Sequence, residues 1–452
     1  MKNIVLSDDV KTLITILLSA GYKAYVVGGC VRDSLLGKTP YDWDICTDAT
    51  PNEVKEIFSN FKYFETGIEY GTITLIINSV TYEITTFRSE GDYNDSRHPE
   101  NVCFEKNIES DLARRDFTIN AIAFNQYDGI IDIFGGLEDI NKRIIKTVGN
   151  SNKRFSEDSL RVLRALRFAS VLDFNIDNKT KYGIFNNKQL LKNISAERIW
   201  NEFKKLLIGN NTVKILREYV DVITVFLPEI KSMVGFEQHS KYHCYDLWEH
   251  TLNALSCADN DIIVKLAVLF HDIGKPEVLT IDEKGEGHFY NHPKISAEIT
   301  ENILNRFRVD NKTKEEVITL VKEHDRVINA TEKSINRTIQ KLGSNELFEK
   351  LLKVKFCDVG GQSKNLKDSR TDQLNCIKNK YKEFIKNNKI VTKITDLKIN
   401  GKDIMAFGIS EGKYVGEVLK KLFTLVTDNN LPNNHTQLMK KAEEMVNNYK
   451  SK

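Results

Sequence analysis

The sequence predicts an α/β head followed by all-α domains, and three observations carry that expectation. Through the first ~145 residues, short β-branched or aromatic runs alternate with helical patterns and with Gly, Asn and Asp turn signals. From about Ser151 onward the pattern is helical for most of the chain. Only seven prolines occur in 452 residues, which suits long helices with few enforced breaks.

In chain order, residues 10–20 carry the first helical spacing and Ala24-Tyr25-Val26-Val27 the first strand. A strand is predicted over 43–46, a helix over 52–58 behind Thr50-Pro51, strands over 72–77 and 81–87, and a last head strand over 130–133. No low-complexity linker and no internal repeat marks the joints. The patterning predicts a head over 1–145, a helical neck over 146–235, a His-rich helical domain over 236–335 and a helical tail over 336–452.

Hydrophobic residues make up 41% of the chain and charged residues 28%, which allows ordinary cores and argues against wholesale disorder. Sixty-five Lys plus Arg stand against 63 Asp plus Glu, a net charge of +2. That balance excludes a histone-like protein but leaves room for a local basic surface that meets a polyanion. The apolar runs at 13–20 and 262–270 fall short of the roughly 20 residues that span a bilayer. Asp8 and Asp9 stand where a secretory leader needs apolar residues. Seven cysteines, with no CxxC pair, argue against a disulfide framework or a zinc ribbon and suit reduced thiols. The expectation is a soluble, cytoplasmic, multi-domain chain with no membrane partner; oligomeric state leaves no trace in the pattern.

Behind the first strand comes Gly28-Gly29-Cys30-Val31-Arg32-Asp33, a strand–glycine–helix turn. Gly28 and Gly29 would let backbone N–H groups approach a phosphate, and Arg32 offers a fork that matches phosphate oxygens. Such turns are also common in purely structural settings. Thirteen residues after Gly29 stands Asp42, followed at i+2 by Asp44. On a strand the two share a face. Carboxylates held that close call for a cation, and Mg²⁺ with its oxygen preference is the natural one. Two-metal phosphoryl transfer uses such a pair; a solvent-facing edge strand is the plainer alternative. Glu83, on a later strand, is a third carboxylate or a surface charge.

These motifs continue in order as Arg114-Arg115-Asp116-Phe117-Thr118-Ile119-Asn120-Ala121, Asp132-Ile133-Phe134-Gly135-Gly136, and the stretch 157–168 with Glu157, Asp158, Arg161, Arg164 and Arg167. Over the first ~205 residues the sequence resembles the class II CCA-adding tRNA nucleotidyltransferases, whose motifs bacterial poly(A) polymerases share. The resemblance implies a nucleotidyltransferase head, polymerase-β-like, with a mixed sheet and helices. It further implies that Asp42 and Asp44 are catalytic Mg²⁺ ligands, and that Gly28, Gly29, Arg32 and Arg115 take the triphosphate of CTP or ATP. Residues 157–168 read as one helix, on which Asp158 and Arg161 lie about 60° apart. The resemblance makes them a protein template for the base, with Arg164 and Arg167 beside them as further nucleotide-binding residues; neck salt bridges are the alternative for those two. The polar segment 87–99 should be a mobile loop, and it resembles the loop with which the family switches from CTP to ATP.

His250, then His271-Asp272 at the end of an apolar run, then His288 and His292 form a separate pattern that can enclose a divalent ion by imidazole and carboxylate. It resembles the HD metal-dependent phosphohydrolase superfamily. His250, His271, Asp272 and His292 are the expected ligands of a divalent transition metal, with His324-Asp325 as further candidates. Such a site either hydrolyses a phosphoester or persists as a folded spacer. In the tail, residues 381–452 hold 13 Lys and 8 acidic residues, and the stretches around Gly401 and Gly412 resemble a C-terminal arm that grips tRNA; an exposed basic surface is the alternative. The reading is a CCA-adding enzyme whose partners are tRNA, CTP and ATP. Its alternatives are a poly(A) polymerase, an enzyme adding only C or only A, or a metal phosphohydrolase with a nucleotide-sensing head.

Overall fold

Ser7 opens the first helix, α1 (Asp8–Ser19), by accepting a hydrogen bond from the Val10 amide, and Asp8 and Asp9 complement its positive end. The apolar stripe Val10, Leu13, Ile14 and Leu17 is wholly buried. The computed structural model describes residues 4–91, 102–239, 245–362, 364–386, 391, 393–428 and 430–450. They fall into two units that divide between Pro228 and Glu229.

The first unit continues through β1 (Ala24–Val27), α2 (Gly29–Leu35), β2 (Asp44–Thr47), α3 (Pro51–Ile57), β3 (Lys62–Gly67), β4 (Thr72–Ile77) and β5 (Val80–Thr86). There follow β6 (Arg88–Glu90), β7 (Val102–Phe104), α4 (Ile108–Ala113), β8 (Ala123–Asn125), β9 (Gly129–Ile131), α5 (Gly136–Lys142) and β10 (Ile144–Ile145). Seven strands form one mixed sheet in the order β3-β4-β5-β2-β1-β8-β9. Its one parallel pair, β2 with β5, sets Asp44 opposite Glu83. β1 is buried along its whole length and carries the sheet against a core of Tyr25, Val27, Cys46, Phe87, Leu112 and Ala123. Thr50 and Glu53 cap α3 reciprocally, with Pro51 in its first turn. Of the segment 87–99 expected to be mobile, residues 92–99 lie outside the described residues; Arg88–Glu90 pairs antiparallel with β7.

The neck contains α6 (Ser151–Glu157), α7 (Leu160–Leu172), β11 (Asn175–Ile176), α8 (Asn178–Asn187), α9 (Ala196–Leu207), α10 (Thr212–Glu218) and α11 (Val220–Phe226). The single helix expected over 157–168 is two helices. Asp158 takes an extended backbone, φ −134° and ψ 102°, and its carboxylate accepts from the Leu160 amide at 3.1 Å. A short acidic side chain bonding the backbone two residues on ends one helix and starts the next. Its strand β11 pairs in parallel with β10 at the end of the head, so the neck is not wholly helical.

The second unit holds α12 (Leu247–Ser256), α13 (Ile262–Phe270), α14 (Lys275–Val278), the antiparallel pair β12 (Thr280–Ile281) and β13 (Gly287–His288), α15 (His292–Arg306) and α16 (Asn311–Glu323). It ends with α17 (Glu332–Leu342), α18 (Asn345–Gly360), α19 (Lys364–Lys386), α20 (Gly401–Met405), α21 (Lys413–Thr427) and α22 (His435–Lys450). The last three helices bury a core of their own, including Ile404, Val418, Leu422, Leu438 and Val446. No helix among the described residues is long and apolar enough to cross a membrane.

Candidate functional site

In the head, β1 delivers the chain to Gly28 at φ +81°. A side chain at that position would be strained, and its Cβ would stand 3.2 Å from an Arg115 guanidinium nitrogen and 3.9 Å from Asp44 Oδ2. The glycine therefore lets the Arg115 fork and the Asp44 carboxylate approach the turn. Asp44 begins β2, Asp42 precedes the strand, both reach solvent, and Glu83 lies in register with Asp44. Dehydration by the surrounding protein lifts the Asp44 carboxyl to about 6; Arg115 opposes this, while Asp42 and Glu83 reinforce it. Three oxygen donors of like charge suit a hard cation such as Mg²⁺.

Arg115 is held from below. Asp111, wholly buried, receives Arg115 Nη2 at 2.9 Å on one oxygen and Arg114 Nη2 at 2.8 Å on the other. Burial alone would raise the Asp111 carboxyl, but the two guanidiniums hold it below its ordinary range. Sequence reasoning missed Asp111, although an aspartate three and four residues before two arginines, at helical spacing, is a readable signal.

The neck arginines are engaged in the same network. Arg164 donates to Asp116 Oδ2 from Nε at 2.8 Å. Asp116 also accepts from the Phe117 amide and the Asn120 side chain. Burial would raise Asp116, and Arg164 with Asn120 reverses the effect, pulling it far down. Arg32 donates to Asn120 at 2.6 Å and to Asp33 at 2.9 Å. Arg167 pairs with the buried Glu202 at 3.0 Å and lies 4.0 Å over the Phe168 ring. Arg32, Arg167 and Phe168, with Lys38 and Lys205, line a cavity of about 430 Å³.

Asp158 and Arg161 are not stacked on one helix, contrary to the expectation. Asp158 sits in the break between α6 and α7 and faces Arg198 of α9 at 3.3 Å. Arg161 pairs with Glu157 at 2.8 Å and also donates to the carbonyl of Arg114. Arg154 bonds the same Glu157 and the carbonyls of Ala113 and Arg114. The start of the neck is thus tied to the segment that presents Arg115 and Asp116.

The second unit concentrates histidines. His250 comes from α12, His271-Asp272 from the end of α13, His292 from the start of α15, His324 from the end of α16, and Asp358 from α18. His250, His271 and Asp272 bring ligand atoms within 4.8 Å of one another, as do Asp272, His292 and His324, so Asp272 serves both groups. Asp358 Oδ1 stands 3.2 Å from His250 Nε2 and 3.6 Å from His271 Nε2. Each imidazole spends Nδ1 on a backbone carbonyl: His250 on Gly361 at 3.1 Å, His271 on Val268 at 2.7 Å, His292 on Phe289 at 2.8 Å and His324 on Val321 at 2.7 Å. A carbonyl only accepts, so Nδ1 is the donor and Nε2 faces the carboxylates. His292 Nε2 and His324 Nε2 lie 3.3 Å apart, and the buried Nε2 of His271 has no well-formed hydrogen bond among the described residues. Four ring nitrogens converging on shared carboxylates are a donor set that could hold a divalent metal. Gly361 makes room for this, since a Cβ there would lie 2.8 Å from the His250 carbonyl oxygen.

Burial would raise Asp272, but His271, Lys275 and His292 hold its carboxyl well below the usual range. His288, near His292 in the chain, lies outside the cluster; it is on β13 and bonds Asp282. Asp325 is exposed. Asp358 and Lys275, whose ammonium is 2.7 Å from Asp272, were missed. A lone aspartate in the apolar stretch before Gly360-Gly361 was the available signal for the former. It also lies beyond the boundary drawn at 335.

Residues 24–146 match the poly A polymerase head domain, 173–233 the probable RNA and SrmB-binding site of polymerase A, and 241–359 the HD domain. The CCA-adding enzyme of Lactobacillus delbrueckii subsp. bulgaricus is 50% identical over 204 residues, 45% of this chain and 51% of that protein, so the match spans about half of that relative's length. The CCA-adding enzyme of Ligilactobacillus salivarius is 32% identical over 455 residues, 97% of each chain. Among solved structures, the Bacillus stearothermophilus CCA-adding enzyme in complex with CTP superposes with a TM-score of 0.67 at 27% identity, covering 98% of both chains. The Thermotoga maritima CCA-adding enzyme complexed with tRNA has the same fold, with a TM-score of 0.60 at 20% identity over 98% of this chain and 96% of that one.

Proposed function

The chain belongs to the family of CCA-adding enzymes, and on that premise we propose that it adds C, C and A to the 3′ end of tRNA from CTP and ATP, in the cytoplasm and without a nucleic-acid template. The observation that carries this reading is the head constellation, in which Asp44 lies in register with Glu83 and beside Arg115 across Gly28. Asp42 and Asp44, with Glu83, would hold Mg²⁺, which when bound supplies charge neutralisation and a more acidic attacking hydroxyl. Arg115, braced by Asp111, and the turn at Gly28, Gly29 and Arg32 hold the triphosphate. The tRNA 3′ hydroxyl attacks the α-phosphate of the bound nucleotide, its proton leaves, and pyrophosphate departs. Positioning and charge complementarity do the work, with no covalent enzyme intermediate.

Asp158 and Arg161 read the base edge. They pair with Arg198 and Glu157, and base reading exchanges these ion pairs for hydrogen bonds to the nucleobase. Arg164 and Arg167 act beside them, the first through Asp116. The lysine-rich tail, 381–452, grips the tRNA. The test supplies tRNA lacking its last three nucleotides with CTP, ATP or both. Two additions with CTP, a third only with ATP, and arrest there are expected, all lost in Asp42→Ala. A long adenylate ladder would replace this reading with a poly(A) polymerase, and arrest after C alone or A alone with a partial-tail enzyme.

A second reading applies to the second unit, favoured by the four inward-facing Nε2 atoms. His250, His271, Asp272, His292, His324 and Asp358 would hold divalent transition metal, which when bound activates water toward a phosphoester.

A further inference from the structure

Three arginines of the first unit converge on a single ring. Phe168 of α7 is 7% exposed, and three guanidinium carbons stand close to its centroid: Arg167 at 4.0 Å, Arg32 at 5.0 Å and Arg164 at 5.5 Å. Arg164 precedes the ring by one turn of α7, whereas Arg32 arrives from α2. Phe117, fully buried, meets the ring edge to face at 5.7 Å and 80° and so fixes its tilt. Each arginine has one carboxylate partner: Asp33 for Arg32, Asp116 for Arg164 and Glu202 for Arg167. The first two pairs are hydrogen-bonded. Arg167 Nε and Glu202 Oε2, 3.0 Å apart, make no well-formed hydrogen bond among the described residues. An ion pair without hydrogen-bond geometry leaves orientation to packing, and the ring of Phe168 is what Arg167 packs against. Burial lowers the Arg167 guanidinium to about 10; Glu202 opposes this shift, and Arg164 and Arg32 deepen it. Like charges thus crowd the ring, and something other than further anions holds them there.

We propose that Phe168 is a positioning residue for the nucleotide triphosphate: its π-system holds Arg32, Arg164 and Arg167 in one mutual arrangement and leaves their charge to the phosphate oxygens. The proposal rests on reading these arginines as nucleotide-binding and adds what sets their spacing. An aromatic quadrupole attracts a cation without bringing a negative charge of its own. A fourth carboxylate in the same place would also gather the guanidiniums, but it would cancel charge that a triphosphate needs. The donors survive as well. Arg164 spends two of its five N–H groups on Asp116, and the others remain for a ligand. Because the arranged groups meet phosphate, which CTP and ATP share, the contribution of Phe168 is the same for both bases.

The experiment replaces Phe168 in the full-length protein by mono-, di- and trifluorinated phenylalanine, which drain the quadrupole of the ring and nearly keep its shape. Dissociation constants for CTP, ATP and pyrophosphate are measured by calorimetric titration with Mg²⁺ and without tRNA, and melting points are recorded alongside. Affinity should fall stepwise along the series, reaching roughly a tenfold loss with the trifluorinated ring. The factor should be the same for all three ligands, at an unchanged melting point. Phe168→Leu, which removes the π-system altogether, should bind no better than the trifluorinated variant. Affinity that stays flat across the fluorinated series overturns the proposal and makes Phe168 a core residue only, whatever Phe168→Leu does to the fold. A loss confined to CTP and ATP, with pyrophosphate unaffected, also overturns it, since the effect would then lie at the base or sugar. A wild-type protein that binds neither nucleotide overturns the nucleotide-binding reading and the proposal with it, an outcome distinct from wild-type binding that is indifferent to fluorination.

Discussion

Replacing Asp111 by Asn removes one negative charge and turns one of its two acceptor oxygens into an amide donor that faces a guanidinium. Asp111 is fully buried, and the side chains of Arg114 and Arg115 are 17% and 18% exposed. Breaking a buried ion pair by removing one partner costs about 3–5 kcal/mol. Water reaches both arginines, which places the cost at the lower end, about 3 kcal/mol. For a unit of this size each kcal/mol moves the melting point by about 2–4 °C, so the transition of the first unit should fall by about 6–12 °C. Because the folded carboxyl is depressed, its stabilisation is present above the unfolded value near ~3.9 and lost as pH falls through the folded value. The gap between wild type and Asp111→Asn should therefore be constant around neutral pH and close below about pH 4. Scanning calorimetry of the full chain, paired with a single-turnover CTP-addition assay, reads both consequences, and addition should slow because Arg115 loses its brace. A variant that melts within 2 °C of wild type (about one kcal/mol or less) and adds CTP at the same rate would refute the buried clamp.

Asp44→Asn should abolish CCA addition while leaving the melting point equal or higher, since its raised carboxyl marks a charge the fold tolerates at a cost; a lower melting point would contradict this. Gly361→Ala sets a methyl 2.8 Å from the His250 carbonyl oxygen and displaces the carbonyl that orients that ring. Metal affinity should drop roughly 10–100-fold with CCA addition intact, read by competition with a chromophoric chelator. Glu202→Ala strands the Arg167 guanidinium in the neck and should destabilise the first unit by about 3–5 kcal/mol, with an unchanged melting point counting against the pairing.

The strands with clean burial were the legible ones: 24–27 and 72–77 coincide with β1 and β4, because buried β-branched runs leave a composition signal. β3 was not seen, since its Lys-Tyr-Phe-Glu-Thr-Gly is mostly solvent-exposed at a sheet edge and shows no alternation. The Asp42–Asp44 pair was visible as spacing, but Glu83 could not be placed, because a parallel neighbour is chosen by the sheet and not by the local chain. The break at Asp158 was hidden by helical spacing on both sides. His271-Asp272 was readable as a dipeptide, whereas Asp358 joins it only through the docking of α18 against α12 and α13.

Three of the four cluster histidines bond a carbonyl three residues back in their own turn, Val268, Phe289 and Val321. Their aim travels with the helix end that carries them and is set as soon as that turn forms. His250 differs, because its carbonyl comes from Gly361, far along the chain. The first three aims are local to their helix ends, whereas the fourth depends on the docking of α18 against α12. The ring of His250 is therefore the natural spectroscopic reporter of whether α18 is docked.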